Sequence, residues 1–202
     1  MAHLLDRIKE QLEKEGLEAR TATARTWLRA KVGALKPNAA KLKNSILEDA
    51  ESSRKKPLTN DTMLGRMYFF FYDPKLKDSL PYYDRFPLVI PIERYSDGFL
   101  GLNLHYIHPK QRVILLNKLS VFLNNHEYDE TTRFKRLRYD TLKAAKRIFE
   151  HTPCIKRYLY THIKSRFLEI SADEWDIAAL IPYEMFIGAS KSKVWSESRK
   201  KF

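Results

Sequence analysis

At 202 residues the chain has room for one domain with an appendage or for two small domains, and its 44% hydrophobic and 12% aromatic content is enough to bury a core, which excludes global disorder. Lys plus Arg number 37 against 25 Asp plus Glu, a formal net charge of +12, so the favoured partner is a polyanion: nucleic acid, an acidic protein surface or an anionic membrane. A lone cysteine, Cys154, excludes an intrachain disulfide and any cysteine-based zinc ribbon or knuckle, fits a reducing compartment, and reads as a small buried hydrophobe.

The opening MAHLLDRIKEQLEKEG is charged from Asp6 onward, so no secretory signal is expected, and no apolar run reaches membrane-spanning length. Leu4, Leu5, Ile8 and Leu12 recur at helical spacing, and Gly16 is a stop signal. A second helix is predicted over 17–35, carrying Trp27, Leu28, Val32 and Leu35. Every charged residue over 20–43 is basic, Arg20, Arg25, Arg29 and Lys31 among them, which spreads cations along a helix face suited to following phosphates. A plain solvated face fits the same pattern. The polar stretch 44–61 reads as a linker, setting 1–62 apart as a basic helical arm and linker, followed by an α+β core over 63–190 and a basic tail over 191–202.

Residues 67–72, 88–92 and 99–106 are apolar, aromatic-rich runs between breakers and are predicted as three strands. Ser96-Asp97-Gly98 signals a hairpin, with Gly98 supplying a positive φ. In the last run Leu100, Leu102, Leu104 and Tyr106 alternate with the remaining residues, the period of a sheet with one buried face. The connector 73–87 holds Pro74, Pro81 and Pro87, which make it a stiffened loop. It presents Tyr82, Tyr83 and Phe86 either as stacking rings or as clamps onto the sheet. Asp73 and Asp84 in this loop read as turn-forming and ion-pairing residues.

A helix is expected from His108 or Pro109 to Asn124-Asn125, another over 131–149, and a third from Pro153 through Ser165. Cations crowd this region: Arg133, Lys135, Arg136, Arg138, Lys143, Lys146, Arg147, Lys156, Arg157, Lys164 and Arg166, against only Asp140 and Glu150 over 133–166. Residues 167–170 add a short strand. Ser171 with Glu174 is a capping-box pattern opening the helix of Trp175, Ile177 and Leu180, which Pro182 stops. The tail after Ser190 is either disordered or docked through Trp195. The fold expected is α+β: a small antiparallel β-sheet packed on a helical C-terminal half, with a basic helical N-terminal arm.

His105, His108 and His126 raise the possibility of a metal-dependent nuclease, but no bracing cysteines and no general base at a ββα unit accompany them. Gly-rich phosphate loops, dinucleotide fingerprints and G-x-S-x-G elbows are missing from the sequence, so no metal, cofactor or catalytic residue is assigned.

The strings YDPK, LPYYDRFPLVIP, DGFLGLNLHY, CIKRYLYTHIKSRFL, EWDIAALIP and ASKSKVW resemble the DNA end protector proteins of T-even-like tailed bacteriophages, over roughly residues 65–199. The resemblance implies a non-catalytic virion protein that binds the ends of the packaged double-stranded genome and shields them from host exonuclease. It would be present in the host bacterial cytoplasm during assembly and after the DNA has entered. The cations just named over 133–166 would then contact phosphates, with Arg20, Arg25, Arg29 and Lys31 reinforcing them and Tyr82, Tyr83 and Phe86 as stacking candidates. Expected partners are double-stranded DNA ends and phage head, portal or neck proteins, and no membrane. A structural role in the same setting, as a head-completion, neck or tail protein whose cations meet acidic virion subunits, fits the arm, linker and Trp195 tail equally.

Overall fold

The computed structural model describes residues 4–18, 21–35, 63–123, 154–171 and 174–199. The expected linker over 44–61 and helix over 131–149 lie outside the described residues, as does His126.

Helix α1 (Leu4–Lys14) stops where its glycine predicts. Gly16 takes φ +66°, and the Leu17 and Gly16 amides donate back to Leu12 O and Glu13 O, both at 3.0 Å, the paired bonds that close a helix on a left-handed residue. Helix α2 (Ala22–Leu35) starts later than the apolar pattern suggests, because Thr21 Oγ1 accepts the Ala24 amide at 3.1 Å and caps it there. Ile8, Leu12, Ala24 and Leu28 are buried in the same cluster as Met67, Phe69 and Leu88 of the sheet, so both helices flank the sheet.

The sheet is antiparallel throughout, with order β5-β4-β3-β1-β6 built from β1 (Met67–Phe69), β3 (Leu88–Tyr95), β4 (Gly98–Asn103), β5 (Ile155–Leu159) and β6 (Leu168–Ile170). A two-strand ribbon pairs β2 (Tyr83–Asp84) with β7 (Phe186–Ile187). Three helices complete the described fold: α3 (Pro109–Leu123), α4 (Trp175–Leu180) and α5 (Lys191–Arg199). Every residue of α4 is buried, and it packs against α1, α2 and α3. Glu174 reaches back to the Ser171 amide at 3.2 Å, as the capping-box pattern predicts.

Four local expectations change. The segment predicted as a helix from Pro153 to Ser165 is strand β5 followed by a 3-10 turn at Tyr160–His162. Its Ile155, Arg157 and Leu159 alternate with Lys156, Tyr158 and Tyr160, and burying the Tyr158 ring on the sheet outweighs the helix-compatible charges. β4 ends at Asn103, whose side chain accepts the His105 amide at 2.9 Å and turns the chain into a 3-10 turn over Leu104–Tyr106. Gly98 is not held by a positive φ; a Cβ there would lie 2.0 Å from Tyr158 O, so glycine is needed for the close approach of β5.

The fourth change concerns the sheet faces. Met67, Phe69, Leu88, Ile90 and Leu102 face the helical layer around Trp175 and Ile177. Tyr68, Phe70, Val89, Phe99 and Tyr158 bury the other face in an aromatic layer. Phe99 stacks on Tyr158 at 5.3 Å between centroids, and Phe70 meets Tyr158 edge-on at 5.2 Å. The sheet is therefore covered on both sides.

Candidate nucleic-acid interface

The cations selected from sequence fall in different places. Arg20, Arg133, Lys135, Arg136, Arg138, Lys143, Lys146 and Arg147 lie outside the described residues, while Arg29 and Lys31 fall on α2. Arg25 is a correction: it is 2% exposed, and its Nε donates to Asp176 Oδ2 at 2.8 Å inside the core, so it holds α2 on α4 and presents no charge to a ligand. Lys156 and Arg157 lie on β5, an edge strand of the sheet. Arg157 pairs with Asp97 and packs over the Tyr95 ring at 4.0 Å, while Lys156 Nζ sits 4.8 Å from the centre of the Tyr106 ring. Lys164 and Arg166 are exposed in the segment leading to β6.

Of the three proposed stacking rings, Phe86 and Tyr82 are clamps. Phe86 is 1% exposed and stacks in parallel on Phe69 at 5.0 Å, with Phe71 at 4.8 Å. Tyr82 is buried beside Tyr106 and Phe186, and burial, then Glu197, pushes its hydroxyl up to about 12. Tyr83 is half-buried and borders a cleft.

That cleft, of about 600 Å³, is lined by Phe71, Tyr72, Asp73, Lys77, Tyr83, Arg85 and Lys164. It joins three segments distant in sequence. The Tyr72 amide donates to Arg85 O at 3.0 Å, the Asp73 amide to His162 O at 3.0 Å, and the Lys164 amide to Phe71 O at 2.8 Å. Ser165 Oγ accepts the Phe71 amide at 2.8 Å, and Tyr72 and Ile163 form an antiparallel bridge. Lys77 Nζ lies 3.1 Å from both Asp73 oxygens, and that contact raises the lysine pKa. Three cations against one carboxylate leave the cleft with excess positive charge beside aromatic rings. Of its lining residues, the sequence had selected Tyr83 and Lys164; Arg85 and Lys77 went unselected because only the tertiary fold brings them there.

Behind the cleft a buried polar network ties the proline-rich loop to the sheet. Asp84 Oδ2 accepts Asn103 Nδ2 at 3.1 Å and lies 2.7 Å from His105 Nδ1, while Asp84 Oδ1 accepts the Phe86 amide at 3.1 Å. Asp84 is thus a core hub as well as a turn residue. Arg112, fully buried, donates to Ile107 O, Ala179 O, His105 O and Glu184 Oε1. Burial raises the Glu184 pKa, but Arg112 first, then His105 and Lys191, outweigh it and hold the carboxyl near about 2. Trp195 Nε1 donates to His105 O at 2.8 Å, which docks the C-terminal helix as the second of its two expected alternatives. His108 is spaced away from His105's carboxylate and instead meets the Trp195 ring edge-on. Among the described residues no group of three or more His, Cys, Asp or Glu side chains is placed to hold a metal ion. Among the same residues, no helix is long and apolar enough to cross a membrane.

A basic α+β protein with a rigid, cation-lined aromatic cleft is the class that this geometry defines, and its natural ligand is polyanionic. The sequence family described as phage T4 terminal DNA protecting protein matches residues 5–200, and the chain belongs to that family. The match takes in the N-terminal helices as well as the region carrying the recognisable strings. No curated protein and no solved structure is significantly similar to the chain.

Proposed function

We propose that the protein binds the ends of linear double-stranded DNA in the phage particle and shields them from exonuclease, acting by occupancy and catalysing no reaction. The family match over 5–200 carries this reading. The net charge of +12 supports it, since lysine and arginine on phosphates give affinity without sequence preference. Arg133, Lys135, Arg136, Arg138, Lys143, Lys146 and Arg147 are proposed as phosphate contacts together with Lys156, Arg157, Lys164 and Arg166. Arg20, Arg29 and Lys31 reinforce them. In the particle the protein would meet head, portal or neck subunits where the DNA end lies, having reached it in the host cytoplasm during assembly.

The test compares two nucleases on one linear duplex with the purified protein bound. Occupancy of a terminus slows a processive exonuclease more than an endonuclease that cuts internally, whereas general phosphate coating slows both. Equal inhibition of the two would refute end specificity, and metal-dependent cutting by the protein itself would refute the non-catalytic reading.

A further inference from the structure

A DNA end differs from the duplex interior in carrying a phosphate monoester, when phosphorylated, and a terminal base with one unstacked face. A monoester bears a charge near about −2 at neutral pH, with its second pKa near about 6, where an internal diester bears a single negative charge. Discrimination of ends therefore calls for a compact site with concentrated positive charge next to an aromatic surface, too small to admit a continuing duplex.

We propose that the cleft lined by Phe71, Tyr83, Lys77, Arg85 and Lys164 receives the terminal phosphate monoester of a DNA end, with the terminal base against the Tyr83 ring. The proposal deepens the end-binding reading and rests on it. At about 600 Å³ the cleft has the size of a site for one small ligand group. Its charges are unequally committed: the Asp73 carboxylate is occupied by Lys77, at 3.1 Å, while among the described residues Arg85 and Lys164 show no acidic partner. These two supply a guanidinium fork and a point charge, the pair of donors that a doubly charged phosphate accepts best. The walls are fixed in advance. Arg85 is held through its own amide to Met185 O at 2.9 Å and its carbonyl to the Tyr72 amide, and Lys164 through its amide to Phe71 O, so little ordering accompanies binding. Phe71 is backed by Phe86, which keeps the aromatic wall in place.

The experiment measures equilibrium binding of the full chain to one blunt duplex in four forms: 5′-phosphorylated, 3′-phosphorylated, hydroxyl at every terminus, and closed by hairpin loops at both ends. Wild-type protein is expected to bind one of the phosphorylated forms about tenfold tighter than the hydroxyl form, the effect of one charge-assisted hydrogen bond, and the strand preferred identifies the source of the monoester. Arg85→Gln with Lys164→Gln, both at exposed positions, is expected to erase that preference while affinity for the closed duplex changes less than about threefold. Lys164→Gln alone, expected to give an intermediate preference, guards against a fold defect in the double variant. Equal binding of phosphorylated and hydroxyl ends, both above the closed duplex, would overturn the cleft assignment and leave end binding intact. A preference that survives in the double variant would overturn it likewise. Equal binding of open and closed duplexes would overturn both readings.

Discussion

Replacing Asp176 with Asn strands the Arg25 guanidinium in the core. The pair is 2.8 Å apart with both side chains 3% exposed, and Asp176 sits on α4, the helix against which α1, α2 and α3 all pack. Removing one member of such a pair leaves an uncompensated buried charge and costs about 3 to 5 kcal/mol, while replacing both members with apolar residues of similar volume is close to neutral. For a urea slope of about 2 kcal/mol per molar, Asp176→Asn is therefore expected to lower the unfolding midpoint by about 1.5 to 2.5 M, and Arg25→Met with Asp176→Leu to restore most of it. DNA affinity of the folded variants is expected to stay unchanged. Two results would refute this reasoning: a midpoint that moves by less than about 0.5 M in Asp176→Asn, or a roughly tenfold loss of DNA affinity in a fully folded Arg25→Met protein. The second would return Arg25 to the phosphate-contacting row.

Glu184 sets an acid limit. Its folded pKa, about 2, lies below its model value of 4.5, so its contribution to stability is complete above about 4.5 and is lost as pH falls through about 2. Unfolding free energy followed from pH 6 to about 2 is expected to fall by about 3 kcal/mol from this group, and Glu184→Gln removes that component of the slope while costing stability at neutral pH. Gly98→Ala is expected to lose at least about 2 kcal/mol and to loosen β5, read as faster amide exchange at Leu159 and Gly98, because the new Cβ meets backbone 2.0 Å away; a near-neutral result would mean that β5 can shift at no cost. Phe86→Ala is expected to cost about 3 to 5 kcal/mol and to leave the DNA affinity of the folded fraction unchanged; lost affinity at an unchanged melting temperature would make Phe86 a ligand contact.

The parts of the fold legible in sequence are those set by local chemistry. Gly16 ends α1, the turn after Tyr95 makes the β3–β4 hairpin, Glu174 folds back on Ser171, and Trp195 docks the last helix. Tertiary packing decides the rest. Residues 155–159 carry charges that suit a helix, yet the Phe70 and Phe99 rings offer Tyr158 a partner only across a sheet. Arg112 gives no local sign of being buried, since its four acceptors come from three separate segments of chain. The same holds for the cleft: Tyr83 and Lys164 stand out because an aromatic in a proline-rich loop and a lysine in a basic run are visible signals, whereas Arg85 reads as a turn residue until Tyr72 pairs with Ile163 and brings the loop beside the 3-10 turn.

This difference in origin separates two kinds of affinity. Basic runs such as 133–147 are local in sequence, and charge of that kind attracts any phosphate backbone, interior or terminal, with a strength that falls steeply with salt. The cleft exists only when segments around Tyr72, Arg85 and Lys164 are brought together by the assembled sheet, and its positive charge is confined to a small volume. A surface of the first kind concentrates the protein on DNA without choosing a position along it. A site of the second kind adds binding free energy only where a strand stops. On the proposed reading, reversing charges over 133–147 weakens binding to open and closed duplexes by the same factor, whereas changes at Arg85 and Lys164 alter the ratio between them. End preference is then a property of the folded sheet, and general DNA affinity a property of composition.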